Sequence, residues 1–405
     1  MMVRRELYLK RIEMYIGRPV IKLITGVRRS GKTTLLRQIR DELQENDTSK
    51  ENTVYINFDG LNYAYLTEEK ELYELLRSEA EKREGKLWFF LDELQNVKLW
   101  AKAVTAISSE YECEFFITSS TNKLLYDGFA GDLGYRYVKI DVYPLTFSEY
   151  LEFVKYKEES KDKTVEELFK SYLLNGAMPG VHSLNETIGT RKAYLQDIYN
   201  SILLKDVVQC NKLRDISHID RIMQFIMENI GNTFSPKAIK DYVKEQGVTI
   251  SVDTVYSFLD ALMGAYLIYR VPRYDIKNDK LLETQEKYYV CDFGMKNAVM
   301  GKLPVNYEAE LENVLFLELL ARGFKVYVGK QGRYQIDFMG TKQEDRTYIN
   351  CCSVLPDNEA VRREFNPLIK IKDNYFKIVL SMDSSARINK GGIINYPLLQ
   401  FLCEA

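Results

Sequence analysis

The chain has 405 residues, and 46% of them are hydrophobic. A chain of this length and composition can bury more than one hydrophobic core. At ~100–200 residues per domain, its length indicates about two to four domains. Its 56 Lys and Arg against 58 Asp and Glu give a net charge of −2, which excludes binding to nucleic acid or an anionic membrane by chain-wide charge. With neither an apolar run of ~18 residues nor a signal-peptide pattern, a cytoplasmic protein without membrane contact is expected. Six scattered cysteines are typical of reduced thiols, and two histidines exclude a histidine-rich metal site.

Positive charge is concentrated near the N-terminus. Residues 1–40 contain eleven Lys and Arg and two Glu, a net charge of 11 − 2 = +9. Two interpretations of this segment stay open. It is either a solvated amphipathic helix before the first strand or a patch that contacts nucleic acid or phosphate.

Short apolar runs then alternate with longer helical patterns as far as residue 155. Continuous apolar strands separated by helices predict a parallel sheet that is covered on both faces, so the expected fold class is α/β. The predicted strands are Val20–Thr25, Thr53–Phe58, Leu87–Leu91, Phe115–Thr118 and Val138–Val142.

The first strand runs directly into the sequence GVRRSGKTT, which matches G-x-x-x-x-G-K-T between a strand and a helical pattern. The glycines allow the backbone N–H groups to point at phosphate oxygens. Lys32 is expected to contact the β- and γ-phosphates, and the Thr33 hydroxyl to bind Mg²⁺. Arg28 and Arg29 either clamp phosphate or pair with acids elsewhere. The nucleotide-binding residues predicted in this loop are Gly26, Arg29, Ser30, Gly31, Lys32, Thr33 and Thr34.

Two acids follow the apolar run at Leu87–Leu91. In a parallel sheet the carboxyl end of this strand opens toward the phosphate loop, so Asp92 is expected to hold Mg²⁺ and Glu93 to polarise the attacking water. A plain solvent-exposed strand end is the alternative. Together with the phosphate loop, the pair predicts hydrolysis rather than nucleotide storage.

The order of these pieces resembles the AAA+ division of P-loop ATPases. In that division a polar residue after the next strand contacts the γ-phosphate or the water, which implies Ser119, Ser120 or Asn122. Of these, Ser120 is the predicted nucleotide-binding residue, and an ordinary helix N-cap cluster is the alternative. The fourth predicted strand, Phe115–Thr118, leads into these residues.

The resemblance extends to a large prokaryotic family of AAA+ ATP-binding proteins that carry a winged helix and a C-terminal domain of unknown function. It rests on the stretches GVRRSGKTTLL, FLDELQNVKLW and TSSTNKLL, on Arg136-Tyr137-Val138 leading to Tyr143–Tyr150, and on Ile202–Asp206. It implies ATP with Mg²⁺, and Arg136 as a catalytic finger or sensor arginine. The family usually has Gly-Arg here, whereas this chain has Tyr135-Arg136.

The middle of the chain is predicted to form a winged helix after a break at Asn175–Gly180. The segment Ser251–Asp260, in the recognition-helix position, has two Asp and no Lys or Arg, which favours a packing module over DNA reading. The wing residues Arg270, Arg273, Lys277 and Lys280 are either a nucleic-acid contact or a solvated loop. The predicted helices are Ile219–Ile230, Pro236–Gln246 and Val252–Met263, and the wing strands are Tyr266–Val271 and Tyr288–Cys291.

The last hundred residues show an α-β-β-β-α-β order that resembles the restriction-endonuclease-like fold. Glu312 and Asp337 match the first two acids of that fold's metal site, but the third strand has Asn350 and Cys352 where an acid and a lysine belong. No other residue is expected to replace the lysine, so nuclease activity is not expected. The predicted elements are Tyr307–Arg322, Lys325–Gly329, Tyr334–Gly340, Thr347–Cys352, Asn358–Lys372 and Phe376–Met382.

The chain therefore divides into an ATPase domain at 1–155, a helical and winged-helix region at 156–300 and a degenerate endonuclease-like domain at 301–405. The favoured function is Mg²⁺-dependent ATP hydrolysis that drives a conformational switch for an unknown protein partner. An ATP-gated nucleic-acid-binding protein and a structural ATP binder with little turnover are the alternatives. Oligomeric state is left open.

Overall fold

The computed structural model describes residues 3–45, 50–125, 137–155, 157, 160–184, 188–213, 216–301, 307–383 and 388–404. The chain folds into two compact units. The first unit contains Met1–Tyr143 and Gly264–Tyr266, and the second contains Pro144–Met263 and Leu267–Ala405.

The first unit is built on a five-stranded, fully parallel sheet in the order β2-β3-β4-β1-β5. Its strands are β1 Ile21–Thr25, β2 Thr53–Asn57, β3 Leu87–Asp92, β4 Cys113–Ser119 and β5 Tyr137–Asp141. Its α-helices are α1 Glu6–Glu13, α2 Lys32–Glu45, α3 Glu69–Glu81 and α4 Trp100–Glu110. This confirms the α/β class and the five predicted strands.

The apolar strands of this sheet are buried because helices cover both of its faces. All five residues of β1 are buried, and two separate apolar clusters lie on the two faces. One cluster contains Leu23 and Phe89, and the other contains Ile24 and Phe90. Adjacent strand residues thus point to opposite faces, and the carboxyl ends of the strands meet along one edge.

The second unit begins with helices. Capping boxes start two of them, at Thr146 with Glu149 and at Thr164 with Glu167. The Ser235 side chain caps another by accepting a hydrogen bond from Ala238 N, as its sequence predicts. The helices of this part are α5 Phe147–Val154, α6 Val165–Asn175, α7 Pro179–His182, α8 Ile188–Ile202, a π-helix Leu203–Gln209, α9 Ile216–Glu228, α10 Pro236–Glu245 and α11 Val252–Gly264.

A nine-stranded mixed sheet organises the rest of this unit, in the order β13-β14-β12-β11-β10-β9-β7-β8-β6. The strands are β6 Thr233–Phe234, β7 Ile268–Asp275, β8 Lys280–Val290, β9 Lys325–Gln331, β10 Tyr334–Lys342, β11 Asp345–Cys352, β12 Phe376–Ser381, β13 Asn389–Lys390 and β14 Ile393–Pro397. The helices are α12 Phe293–Met300, α13 Tyr307–Ala321, α14 Asn358–Ile369 and α15 Leu398–Cys403.

The β7-β8 hairpin is part of the same sheet as the C-terminal strands. Strand β7 pairs in parallel with β9, with Tyr274 opposite Gly329. The predicted α-β-β-β-α-β order of the C-terminal region is present as α13, β9, β10, β11, α14 and β12. The hairpin extends that arrangement by two strands, which brings residues before 300 beside residues after 300.

Candidate active site

The phosphate loop lies between β1 and α2. Gly26 and Gly31 have φ of +147° and +101°, a region that L side chains rarely adopt. A Cβ at Gly26 would also overlap the carbonyl oxygen of Val142, so this turn needs glycine. The first N–H groups of a helix have no intrahelical partner, and Thr33 and Thr34 lie in the first turn of α2. The loop therefore presents a helix N-terminus suited to phosphate.

Lys32 lies inside this loop, with only 2% of its side chain exposed. Its Nζ donates hydrogen bonds to the carbonyl oxygens of Gly26 at 3.0 Å and Val27 at 3.1 Å. The Ser30 hydroxyl is buried, and the described residues offer it no hydrogen-bond partner. A buried ammonium and a buried hydroxyl in one loop fit the oxygens of a polyphosphate.

Arg5 contacts the backbone of the phosphate loop. Its guanidinium donates to the carbonyl oxygens of Ser30 at 2.9 Å and Tyr143 at 3.1 Å. Lys22 is also buried, with its Nζ 2.5 Å from Glu114 Oε2. Both cations belong to the basic N-terminal segment, so part of its positive charge is used inside the first unit and not at a surface.

The two arginines of the loop have different surroundings. Arg28 lies 3.3 Å from Asp59 Oδ2 and 3.4 Å from Ser120 Oγ, so of its two predicted roles the structure shows pairing with an acid. Arg29 has φ of +69°, a left-handed conformation that is uncommon for a residue with a Cβ. Strained residues of this kind cluster at ligand-binding sites.

Asp92 ends β3 and is held by three hydroxyl groups. Its Oδ1 accepts hydrogen bonds from Thr33 Oγ1 at 3.1 Å and Thr118 Oγ1 at 2.5 Å, and its Oδ2 accepts one from Tyr55 OH at 2.9 Å. Burial raises the pKa of Tyr55, and the charge of Asp92 raises it further. Mg²⁺ prefers hard oxygen ligands and keeps waters and phosphates in its shell, so adjacent Thr33 and Asp92 oxygens fit this ion.

Glu93 follows in a left-handed conformation, with φ of +58° and ψ of +47°. This turn directs its Oε1 to 3.5 Å from Lys32 Nζ, while its Oε2 accepts a 2.6 Å hydrogen bond from Gln95 Nε2. Burial acts to raise the pKa of Glu93, but the charges of Lys32 and Arg28 outweigh it and hold the pKa below its ordinary value. The side chain is therefore a carboxylate, the form that a general base requires.

Of the polar residues at and just after the end of β4, the structure brings Ser120 to this site. Ser120 Oγ lies 3.0 Å from Gln95 Nε2, beside Glu93. Ser119 instead donates to the carbonyl oxygen of Thr121 at 2.7 Å. Gln95 Oε1 is buried, and within the described residues it has no hydrogen-bond partner, so it is free to accept a hydrogen bond from a ligand or water.

Sequence reasoning missed three residues of this site: Tyr55, Gln95 and Thr118. Tyr55 is on β2, which pairs with β3 in the sheet, and Thr118 directly precedes the Ser119–Asn122 run that the sequence singles out. A polar residue near the carboxyl end of a neighbouring apolar strand is the signal that would have found Thr118. Tyr55 has no such signal, since a tyrosine in a strand is ordinary.

Comparison with known proteins shows the family. A model of the AAA domain matches residues 18–151, and a model of a domain of unknown function, DUF8612, matches residues 166–306. A Haemophilus influenzae protein, described as uncharacterized, is 33% identical over 380 residues, which cover 94% of this chain and 93% of that protein. The chain belongs to the AAA-domain family.

Other similar proteins cover most of this AAA-domain chain. An uncharacterized protein of Methanocaldococcus jannaschii is 31% identical over 351 residues, which cover 84% of this chain and 76% of that protein. The solved structure of Aeropyrum pernix ORC1 in complex with DNA covers 74% of this chain and 92% of its own, at 13% identity and a TM-score of 0.33.

Two further expectations for this AAA-domain protein concern Arg136 and the membrane. Arg136, the predicted finger or sensor arginine, lies outside the described residues. Across the described ranges, none of the helices combines the length and the apolar character that crossing a bilayer requires.

The hairpin of the second unit carries acids as well as the predicted cations. Arg270 lies 3.8 Å from Glu286, and Asp279 at the hairpin tip lies 2.9 Å from Arg346 of β11. Lys277 and Lys280 are exposed. Glu286 therefore balances part of the positive charge of the hairpin, which favours the solvated-loop interpretation.

The structure corrects one expectation for the C-terminal region of this AAA-domain protein. Glu312 and Asp337 do lie near each other, but a lysine accompanies them: Lys287 of β8 contacts both. The third strand alone could not reveal it, because this lysine comes from the hairpin that joins the C-terminal sheet. Burial acts to lower the pKa of Lys287, but the charges of Glu312 and Asp337 raise it overall, so the side chain is an ammonium.

Proposed function

We propose that this AAA-domain protein is a Mg²⁺-dependent ATPase whose nucleotide state acts as a conformational switch for a protein partner. The observation that carries the proposal is the position of Glu93. Its carboxylate is held in the ionised form, 3.5 Å from the phosphate-loop ammonium of Lys32 and next in sequence to the Asp92 that contacts Thr33. A site that only stored nucleotide would have no use for a base in this position.

Each side chain then has a chemical role. The phosphate loop and Lys32 would bind the phosphates of ATP, and Thr33 and Asp92 would hold Mg²⁺, which would neutralise charge on the phosphoryl group that is transferred. Glu93 takes a proton from the attacking water. Gln95 donates to Glu93 through Nε2 and offers its buried Oε1 as an acceptor for the same water.

Replacing Gln95 with Ala tests this positioning role. The hydrogen bond to the Glu93 carboxylate is lost, so kcat is expected to fall roughly tenfold, the worth of ~1.5 kcal/mol for a hydrogen bond to a charged group, with unchanged ATP affinity. The acid limb of the pH–kcat profile should move to higher pH, because the hydrogen bond favours the charged form of Glu93. Gln44→Ala, which removes a glutamine bonded to Thr53, is the matched control. A profile that does not move would contradict the role.

Replacing Tyr55 with Phe tests the support of the metal ligand. Tyr55 OH donates to Asp92 Oδ2, and losing such an outer partner of a metal ligand typically weakens metal affinity by roughly 10–100-fold. The Mg²⁺ concentration for half-maximal ATP hydrolysis should therefore rise, while the rate at saturating Mg²⁺ stays close to that of the parent. Tyr73→Phe removes a tyrosine bonded to exposed Glu110 and should leave both quantities unchanged. An unaltered Mg²⁺ titration for Tyr55→Phe would argue against this role.

Hydrogen exchange tests the switch. Full-length protein is compared in ATP with Mg²⁺, using a hydrolysis-deficient variant, and in ADP with Mg²⁺. Amides of residues 144–263 and 267–404 should exchange at different rates in the two states, because a switch needs a differential interaction with the two nucleotides. Identical exchange throughout these residues would contradict the switch and leave the ATPase proposal standing.

Nucleic-acid binding gated by ATP is the second candidate. Arg5 and Lys22 are buried in ion pairs or backbone hydrogen bonds, and the hairpin cations lie among acids, so the surface favours it less. A DNA-binding titration at increasing salt concentration tests this alternative. The alternative would be established if DNA affinity depends on ATP and if its logarithm falls linearly with the logarithm of the salt concentration.

A further inference from the structure

Three elements of the second unit bring two acids and a lysine together. Glu312 lies on α13, Asp337 on β10 and Lys287 on β8. The pairing of β10 with β9 shifts register between Ile336 and Met339, so Asp337 lies at a bulge. Bulges re-aim side chains and are over-represented beside functional sites.

The lysine lies between the two carboxylates. Lys287 Nζ is 2.7 Å from Glu312 Oε2 and 3.8 Å from Asp337 Oδ1, and only 1% of the Lys287 side chain is exposed. Tyr289 OH donates to the same Glu312 Oε2 at 2.8 Å, and Cys351 N donates to Asp337 Oδ2 at 2.9 Å. Each of the two acids therefore accepts a hydrogen bond from a neutral donor, and both acids lie near the same Lys287 ammonium.

The third strand does not complete a metal site. Asn350, at the position of the expected third acid, uses its Oδ1 to accept from Asp337 N at 3.1 Å and its Nδ2 to donate to the Glu364 carbonyl oxygen at 2.7 Å. Over the residues that the structure describes, no group of three or more His, Cys, Asp or Glu is arranged to hold a metal ion.

The charge of the Lys287 ammonium disfavours a divalent metal ion between Glu312 and Asp337. A divalent cation binds carboxylate oxygens at ~2.0–2.6 Å, so one shared by Glu312 and Asp337 would lie close to the Lys287 ammonium and be repelled by it. The ammonium supplies one positive charge beside these two partly buried carboxylates, whose side chains are 15% and 18% exposed. In the fold that this region resembles, a metal ion and a third-strand lysine act together beside the acids. Here the ammonium that lies near both acids is that of Lys287, from the hairpin. The residues present here do not fit the metal.

We propose that Lys287 is a tethered cation that takes the place of the divalent metal ion in the C-terminal fold, so that Glu312 and Asp337 are held together without metal. The cluster joins the β7-β8 hairpin to α13 and β10. Its role is to fix these elements to one another, and the same site cannot serve metal-dependent phosphodiester cleavage.

Cleavage assays test one consequence. The purified full-length protein with Mg²⁺ or Mn²⁺ should leave plasmid and single-stranded DNA intact, with or without ATP, since no metal-bound water is available at the cluster. Metal-dependent cleavage that disappears in Asp337→Ala would overturn the proposal and assign a nuclease.

Mn²⁺ binding tests the proposal directly, by electron paramagnetic resonance of free Mn²⁺ in solutions of the full-length protein. Lys287→Met keeps the apolar stem but removes the charge, so it should gain one bound Mn²⁺ relative to the parent, and the gain should be lost in Lys287→Met/Asp337→Asn. The matched control is Lys296→Met, which removes a buried lysine that lies 3.6 Å from Glu310 and should gain no Mn²⁺. A folded Lys287→Met protein that gains none would overturn the proposal.

If Lys287→Met does not fold, a comparison of the parent protein with a variant that keeps Lys287 still tests the proposal. Asp337→Asn, in an otherwise unchanged chain, should leave the Mn²⁺ titration of the parent as it was, because the lysine and not a metal ion occupies the cluster. Loss of one Mn²⁺ equivalent in Asp337→Asn would show a metal site and contradict the tethered cation.

Discussion

Glu93→Gln is expected to bind ATP as the parent does but to hydrolyse it roughly 10²–10⁴-fold more slowly, the usual contribution of a positioned general base. Glutamine has the same size, and its carbonyl oxygen can still accept the 2.6 Å hydrogen bond from Gln95 Nε2. What it loses is the charge that accepts a proton from water. ATP affinity by calorimetry and phosphate release under single-turnover conditions measure the two quantities separately.

Glu81→Gln is the matched control for this variant, since Glu81 is an exposed acid of the same unit that pairs with Arg77 at 2.8 Å. It should change neither quantity. If kcat of Glu93→Gln stays within a factor of two of the parent, Glu93 is not the group that activates water.

Lys32→Ala is expected to remove tight triphosphate binding. The ammonium is buried and lies between two loop carbonyl oxygens and Glu93, so its loss leaves the phosphate loop without its central positive charge. Truncating one partner of a buried, hydrogen-bonded charge pair at a binding interface costs ~2–5 kcal/mol, which corresponds to weakening of ATP affinity by roughly 30–4,000-fold. Calorimetric titration with ATP and Mg²⁺ measures this change.

Lys98→Ala removes the same charge from an exposed position that pairs with Glu68, and ATP should bind this variant as it binds the parent. Thermal unfolding of Lys32→Ala shows whether the unit is still folded. A folded Lys32→Ala protein with parental ATP affinity would mean that nucleotide does not bind at this loop.

The first unit could largely be predicted from the sequence because its signals are local. Apolar runs define buried parallel strands, and the predicted Leu87–Leu91 extends by one residue to β3 Leu87–Asp92. The phosphate-loop motif likewise placed Lys32 and Thr33 within one loop, and the Asp92 contact with Thr33 followed from the parallel sheet.

What the sequence could not predict depends on which strands are neighbours. Tyr55 contacts Asp92 only because β2 pairs with β3, and Gln95 reaches both Glu93 and Ser120 only because Glu93 adopts a left-handed turn. Lys287 is the clearest case. It reaches Glu312, 25 residues later, because the β7-β8 hairpin joins the C-terminal sheet through β9, and no local pattern records that long-range pairing.

Release of phosphate from ATP by the purified parent protein, followed with Mg²⁺ present and with Mg²⁺ removed by a chelator, tests the central proposal most directly. We expect steady turnover with Mg²⁺ and none without it, because the ion that Thr33 and Asp92 would hold would neutralise charge on the transferred phosphoryl group. Tight ATP binding with no phosphate release above background in Mg²⁺ would contradict the ATPase proposal and leave a structural nucleotide-binding protein.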